Sequence, residues 1–177
     1  MTEQWRVVVG ADEAGRSYKD QIADDLRNDS RVSSVVDLGV FDAEVRPYPQ
    51  VGIEAAQLVA SGDADRAILI CGTGIGMAIS ANKVPGIRAT VVADSYSCER
   101  SVLSNDCQVL TMGERVVGLE LARRLAREWL SYRFDPSSAS NDKVAEITEF
   151  ELRRPSETKQ SPPRGSPASA TTPISSP

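Results

Sequence analysis

The decisive stretch of this chain is Asp65-Arg66-Ala67-Ile68-Leu69-Ile70-Cys71-Gly72-Thr73-Gly74-Ile75-Gly76-Met77-Ala78-Ile79-Ser80-Ala81-Asn82-Lys83. Residues 67–70 are apolar and end in Cys71, and such a run followed by glycine is typical of a buried parallel strand. Three alternating glycines come next, and glycine lets a backbone turn sharply and approach a bound group. A helix-like segment then begins, and amides at a helix start bind anions. The strand end therefore presents a thiol beside several free N–H groups.

Two interpretations of this stretch stay open on the local pattern alone. Cys71 is either a reacting thiol or an ordinary buried cysteine, since free cysteine is among the most buried residue types. The glycines either hold an anion or make a plain strand-to-helix turn. They do not match the G-x-G-x-x-G fingerprint of dinucleotide-binding folds, because Met77 stands where the last glycine belongs. We therefore expect no nucleotide cofactor.

Composition excludes several classes of partner. The 177 residues carry a net charge of −5, which argues against nucleic acids and anionic membranes as partners. No apolar run approaches the ~18 residues of a membrane span. The first residues lack the basic start and apolar core of a signal peptide, so we expect a cytoplasmic protein.

The chain contains no histidine and three cysteines, at positions 71, 98 and 107. The absence of histidine excludes a Ser-His-Asp triad, a Cys-His protease and a histidine-ligated metal. The cysteine spacing fits neither a zinc site nor a disulfide framework, so we expect no metal. Proton transfer must therefore use Cys, Asp, Glu, Lys or Tyr.

Strand-like and helix-like segments alternate five times along residues 1–153, which we take as one domain. This alternation predicts a doubly wound α/β fold, with a five-stranded parallel sheet and helices on both faces. The predicted strands cover 5–9, 32–38, 67–71, 88–93 and 107–112. The predicted helices cover 16–27, 50–60, 75–82, 95–103, 116–131 and 141–153. The loops that follow the first, third and fourth strands then meet at the carboxyl edge, where open parallel sheets bind ligands.

Two polar residues near this edge have more than one interpretation. Asp12 follows the first strand, where it is either a site residue or the N-cap of the next helix, and the two roles are compatible. Tyr48 stands between Pro47 and Pro49, which predicts an extended backbone. Its ring either packs against the next helix or lines the mouth of a pocket.

The end of the chain differs in character from the rest. The amphipathic helix predicted over 141–153 has little of its own domain to pack against, so we expect it to cross to a partner subunit. Residues 154–177 are rich in proline and serine and have no periodic apolar pattern. Such a composition cannot bury a core, and we expect this tail to be disordered.

Five segments carry a resemblance to a known family. They are Gly10-Ala11-Asp12, Ile70-Cys71-Gly72-Thr73-Gly74-Ile75-Gly76, Ala81-Asn82-Lys83-Val84-Pro85-Gly86-Ile87-Arg88-Ala89, Ser104-Asn105-Asp106 and Gly113-Glu114-Arg115-Val116-Val117-Gly118. In this order they resemble the type B ribose-5-phosphate isomerases, a family that includes galactose-6-phosphate isomerase subunits. The similarity covers roughly residues 5–152. It implies a Rossmann-like fold and a homodimer or dimer of dimers, with active sites at the subunit interface.

The resemblance also implies a reaction. Members of this family interconvert aldose and ketose sugar phosphates through a cis-enediolate, without metal or nucleotide. Cys71 matches the base that moves a proton between C1 and C2, and Thr73 matches the hydroxyl that assists transfer between the two oxygens. The anion hole that binds the enediolate in this family is matched by the amides of Gly72, Gly74, Ile75 and Gly76. A preorganised set of donors is what such an intermediate requires.

Substrate-binding residues follow from the same resemblance. Asp12 and Asn105 match residues that contact sugar hydroxyls. Tyr48 matches a pocket tyrosine, and Arg115 matches a phosphate-binding arginine.

Four positions depart from the family pattern. Glu13 stands where the family has a phosphate-contacting histidine, and Ser104 stands where it has the histidine that opens the furanose ring. Two phosphate-binding arginines are replaced by Ala139 and Lys143. The proton-transfer residues are therefore present, whereas ring opening and phosphate recognition are altered.

Two classes of function follow. The first is an active isomerase, for which ribose 5-phosphate and ribulose 5-phosphate are the family default. A linear tetrose phosphate, erythrose 4-phosphate or erythrulose 4-phosphate, is favoured because it needs no ring-opening histidine. The second is a catalytically weak sugar-phosphate-binding or scaffold protein of the same fold.

Overall fold

The computed structural model describes residues 4–40 and 45–153, so the tail at 154–177 lies outside the described residues. The strands are β1 (Trp5–Ala11), β2 (Val32–Asp37), β3 (Arg66–Cys71), β4 (Ala89–Val91) and β5 (Val109–Gly113). The helices are α1 (Arg16–Arg27), α2 (Tyr48–Ala60), α3 (Ile75–Ala81), α4 (Ser95–Leu103), α5 (Leu119–Trp129) and α6 (Asn141–Leu152). No helix within these described ranges is long and apolar enough to cross a bilayer.

The five strands form one parallel sheet in the order β2-β1-β3-β5-β4. The predicted α/β fold with a five-stranded parallel sheet is confirmed. The chain first winds outward from β1 to β2 and then returns to place β3 on the other side of β1. At such a switch point the loops after the two central strands diverge and leave a crevice at the carboxyl edge. The loops after β1 and β3 therefore border this crevice.

β3 lies at the centre of the sheet, and all six of its residues are buried. Its side chains alternate between two cores, as expected for a strand covered on both faces. Ile68 and Ile70 join the core beneath α1, α4 and α5, whose largest member is Trp129. Leu69 and Cys71 join the core beneath α2 and α3. This alternation directs the thiol of Cys71 toward α2 and α3.

Some predicted boundaries are wrong. α5 begins at Leu119 rather than at residue 116, because residues 113–117 form a turn in which the amides of Val116 and Val117 donate to the Gly113 carbonyl. Val117 is consequently buried, and Val116 is 60% exposed. β4 is shorter than predicted, which suits an edge strand with one neighbour.

Tyr48 is not extended as predicted, since it is the first residue of α2. Pro47 caps this helix, and Pro49 lies in its first turn. Proline is tolerated there because its missing N–H would have no helical partner.

α6 packs on its own domain through few contacts. Its one buried residue is Val144, and the Glu151 carboxylate accepts a hydrogen bond of 2.8 Å from the Gly86 amide. The same helix exposes three large apolar side chains, those of Ile147, Phe150 and Leu152.

Gly15 lets α1 approach the carboxyl end of β3. A Cβ at this position would lie 2.4 Å from the Ile70 carbonyl oxygen, which is a backbone atom with little room to move. We therefore expect Gly15→Ala to lower the free energy of unfolding by about 2–3 kcal/mol, measured by chemical denaturation.

Gly118→Ala is the matched control, because Gly15 and Gly118 are both helix N-caps. A Cβ at Gly118 would have no atom within 4 Å, so this variant changes only the cap preference. Equal losses in the two variants would contradict the steric argument.

Candidate active site

The turn after β3 holds the thiol of Cys71 next to backbone amides. Cys71 is the last residue of β3 and is 5% exposed. The Gly74 amide donates to its Sγ at 3.0 Å. Gly74 has a φ of +79°, and a Cβ there would lie 3.0 Å from the Met112 backbone. Only glycine satisfies both conditions, so this residue sets the path from β3 into α3.

Thr73 projects from the same turn toward solvent. Its Oγ1 lies 3.4 Å from the Ile75 amide nitrogen, which donates to it. A Cβ at Gly113 would lie 2.5 Å from the Thr73 Cα, so a glycine at the end of β5 lets the turn pack closely there. β3 and β5 thus fix the position of the Thr73 backbone.

A cavity of about 520 Å³ opens over this turn. Eight of the residues expected at the site line it, namely Asp12, Tyr48, Cys71, Gly72, Thr73, Ile75, Gly76 and Arg115. Sequence reasoning missed two further lining residues, Ala14 and Ile79. Ile79 lies one helical turn after Ile75, and this i, i+4 spacing is the signal that would have identified it.

Two glycines bring large side chains onto the cavity walls. The Tyr48 ring packs on Gly76, where a Cβ would come within 2.5 Å of a ring carbon. The Arg115 guanidinium lies over Gly72, with Nη1 3.4 Å from the position of a Cβ. Among the described residues, no carboxylate forms an ion pair with Arg115. This cation is available for an anionic ligand.

Asp12 contributes the cavity's carboxyl group. Its Oδ1 accepts a hydrogen bond of 3.1 Å from the Ala14 amide. Burial raises the pKa of Asp12 above the ordinary value, and hydrogen bonds from the Gly15 and Ala14 amides oppose that rise. The N-cap of α1 is Gly15, so the capping interpretation of Asp12 is wrong.

Two other expected site residues border this region without lining the cavity. Glu13 is exposed beside Asp12. Gly74 is buried beneath the turn, where its amide reaches the sulfur of Cys71.

The remaining expected residues, Ser104, Asn105 and Lys143, lie elsewhere in the subunit. α4 returns the chain from the carboxyl edge after β4 to the amino edge before β5, so residues 104–105 lie at the edge opposite Cys71. Asn105 lines a different cavity of about 470 Å³, together with Arg100 and Ile147. Lys143 is exposed on α6.

The other two cysteines have thiols that stay protonated. Burial raises the pKa of Cys98 to about 12 and that of Cys107 to about 11. At pH 7 a thiol with a pKa of about 11 is ionised in only about one molecule in ten thousand. Neither residue lines the cavity over Cys71.

We therefore expect iodoacetamide to modify Cys71 first at neutral pH. Its sulfur faces a cavity and an amide donor, whereas Cys98 and Cys107 react as thiolates only at high pH. Peptide mass spectrometry over a time course measures the three rates. The Cys71→Ala variant should take up no label over the same period, and equally fast labelling of Cys107 would contradict the assignment.

Comparisons with known proteins show which family the chain belongs to. The family model described as Ribose/Galactose Isomerase matches residues 7–147. The chain is 57% identical over 147 residues to D-erythrulose-4-phosphate isomerase 2 of Mycolicibacterium smegmatis, which covers 82% of this chain and 97% of that protein. It is 40% identical over 149 residues to ribose-5-phosphate isomerase B of Escherichia coli, which covers 84% and 98%.

A solved structure gives the same result. The ribose-5-phosphate isomerase B of Clostridium thermocellum superposes with a TM-score of 0.77 at 42% identity, which covers 82% of this chain and 97% of that one. The resemblance noted from the sequence motifs is confirmed. On the evidence of its motifs, its fold and these relatives, this chain belongs to the ribose/galactose isomerase family.

Proposed function

We propose that this chain is an aldose–ketose isomerase that interconverts erythrose 4-phosphate and erythrulose 4-phosphate through a cis-enediolate. The observation that carries the proposal is one cavity containing a thiol, a hydroxyl, backbone amides and a cation, in a chain without histidine. The name of the Mycolicibacterium smegmatis relative supports the choice of a four-carbon substrate.

Cys71 is the base that moves the carbon-bound proton. Starting from the ketose, its sulfur removes a proton from C1, and the electron pair of that bond forms the C1–C2 double bond of the enediolate. The same sulfur returns the proton to C2, which gives the aldose. Thr73, exposed at the cavity, carries the proton that passes between O1 and O2. Removal of a positioned base of this kind costs about 10²–10⁴ in rate.

The negative charge of the enediolate develops at the glycine turn. The amides of Gly72, Ile75 and Gly76 belong to residues that line the cavity beside Cys71. Donors that are already in place stabilise this charge without reorganisation. The amide of Gly74 is committed to the Cys71 sulfur and holds it at the turn.

The rest of the cavity binds the substrate. Arg115 has no carboxylate partner among the described residues, so its guanidinium binds the phosphate. Asp12 and Tyr48, which both line the cavity, contact the sugar hydroxyls. Burial raises the pKa of Asp12, so its carboxylate becomes protonated at a higher pH than that of an ordinary aspartate.

The size of the substrate follows from the ring-opening step. Ribose 5-phosphate is mostly a furanose, and opening that ring needs an acid–base group with a pKa near the working pH. Serine has no such pKa, and Ser104 occupies the position concerned. Erythrose 4-phosphate carries its phosphate on O4, so it cannot form a furanose. It needs only the C1–C2 proton transfer.

We further propose a homodimer or a dimer of dimers in which each site is shared. Residues 104–105 lie at the sheet edge opposite Cys71 of their own subunit. They can therefore reach the cavity over Cys71 only in a second copy of the chain. Two apolar surfaces support such an assembly. Ile75 and Ile79 are exposed at the cavity, and Ile147 and Phe150 are exposed on α6. In this arrangement Ser104, Asn105 and Lys143 face the Cys71 of the partner, with Glu13 at the rim.

A substrate panel of four-, five- and six-carbon sugar phosphates tests the reaction. We expect kcat/KM for erythrose 4-phosphate or erythrulose 4-phosphate to exceed that for ribose 5-phosphate by at least about tenfold, or ~1.4 kcal/mol in transition-state stabilisation. Ser104→His should improve turnover of the cyclic substrate alone, and Cys71→Ala should lower turnover of every substrate by about 10²–10⁴.

Three outcomes would oppose this proposal. Faster turnover of ribose 5-phosphate by the unmodified chain would restore the five-carbon default. Equal improvement of both substrates by Ser104→His would separate that position from ring opening. Tight binding of sugar phosphates without turnover would favour the sugar-phosphate-binding or scaffold function.

Mixing two inactive variants tests the shared site. Cys71→Ala damages one half of each site, and Asn105→Ala damages the half that comes from the other subunit. Random reassembly after mild denaturation should restore about a quarter of the parental activity, because half of the dimers are mixed and each contains one intact site. Each variant reassembled alone is the control. Absence of any recovery in mixed samples that form dimers would place the complete site within one subunit.

A further inference from the structure

Thr111 is a fully buried polar side chain for which the proposed reaction has no role. It lies in the middle of β5 and is 0% exposed. Its Oγ1 lies 3.0 Å from the Gly74 carbonyl oxygen and 3.2 Å from the Thr90 carbonyl oxygen. A hydroxyl has one hydrogen, so it donates to one of these acceptors at a time. The shorter of the two contacts is the one to Gly74, which lies in the glycine turn beside Cys71.

The Gly74 carbonyl belongs to the same peptide group as the Ile75 amide. This peptide is trans, and a trans peptide directs its C=O and N–H to opposite sides. A carbonyl held toward β5 therefore aims the Ile75 N–H away from the sheet. Ile75 lines the cavity, and its N–H points toward Thr73 Oγ1 at 3.4 Å.

The turn needs such a restraint because Gly74 has broad conformational freedom. Glycine at a φ of +79° has no side chain to limit rotation of the following peptide. The Ala78 amide also donates to the Gly74 carbonyl, at 3.1 Å, as part of α3. That bond ties the carbonyl to its own helix, whereas Thr111 ties it to the sheet. The two bonds together fix the peptide relative to Cys71.

We propose that Thr111 is a positioning residue that aims the Ile75 N–H at the developing oxyanion of the substrate. This inference rests on the proposed isomerase function, since it assigns a purpose to the Ile75 donor. Thr111 touches neither the substrate nor the reacting atoms. Its hydroxyl acts through the Gly74–Ile75 peptide and sets how well the anion hole fits the enediolate.

A merely structural role is the alternative, because the same hydroxyl lies within reach of Thr90 on β4. A hydroxyl that only joined the two strands would affect stability without affecting turnover. The two roles therefore differ in whether kcat falls separately from the free energy of unfolding.

Thr111→Val and Thr111→Ser separate these roles. Valine keeps the branched shape and removes the donor, whereas serine keeps the donor and removes the methyl group. We expect Thr111→Val to lower kcat on the tetrose phosphate about tenfold, with KM changed less than about twofold, since misaiming one donor loses part of its contribution. Thr111→Ser should retain most of the parental kcat even if its Tm is lower.

Leu125→Val is the matched control. Leu125 is fully buried in the core beneath α1, α4 and α5, and it lines neither the cavity over Cys71 nor the cavity that contains Asn105. We expect this variant to lower Tm and leave kcat unchanged. Hydrogen–deuterium exchange over residues 72–80 gives a readout that needs no substrate. It should rise in Thr111→Val and not in Thr111→Ser or Leu125→Val.

Several results would overturn the inference. They are an unchanged kcat in Thr111→Val, an equal loss of kcat in Thr111→Ser, and unchanged exchange over residues 72–80 in Thr111→Val. Failure of the proposed function is distinguishable from these. If the proposed function is wrong, the unmodified chain will turn over no sugar phosphate in the panel. The exchange measurement will still decide whether Thr111 restrains the turn.

Discussion

The close packing of the glycine turn against the end of β5 is the constraint on which the site depends. A Cβ at Gly74 would crowd the Met112 backbone, and one at Gly113 would overlap the Thr73 Cα. Without side chains at these two positions, the backbone after β3 approaches its neighbour closely enough to turn at once. Cys71 therefore ends its strand with an amide directed at its sulfur. The Tyr48 ring and the Arg115 guanidinium also pack against glycines of this turn.

Two more glycines extend the same principle to the cavity walls. Gly76 makes room for the Tyr48 ring, and Gly72 makes room for the Arg115 guanidinium. Aromatic surface and positive charge thereby come into contact with backbone that also offers N–H donors. Such a surface suits a small, polar, anionic substrate, because its hydrogen-bonding groups are fixed before the ligand arrives.

The direction of a parallel sheet explains how one chain provides two separated sets of polar residues. Loops after strands lie at the carboxyl edge with Cys71, whereas loops before strands lie at the amino edge with Asn105. No rearrangement within the subunit brings these edges together without breaking the sheet. The symmetric assembly that we propose would bring both sets to one substrate, and the apolar side chains exposed on α3 and α6 are the surfaces that it would bury.

The amino-acid sequence by itself determined the order of strands and helices, the doubly wound fold and which polar groups stand at the central turn. These follow from short-range signals, namely apolar periodicity, the alternating glycines after Cys71 and the absence of histidine. Only the tertiary structure decided that Tyr48 begins a helix and that Val117, not Val116, is buried. It alone placed Arg115 over Gly72 and linked Thr111 to Gly74. Such contacts depend on strand order and on how closely distant backbone segments pack, and local sequence patterns carry no information about either.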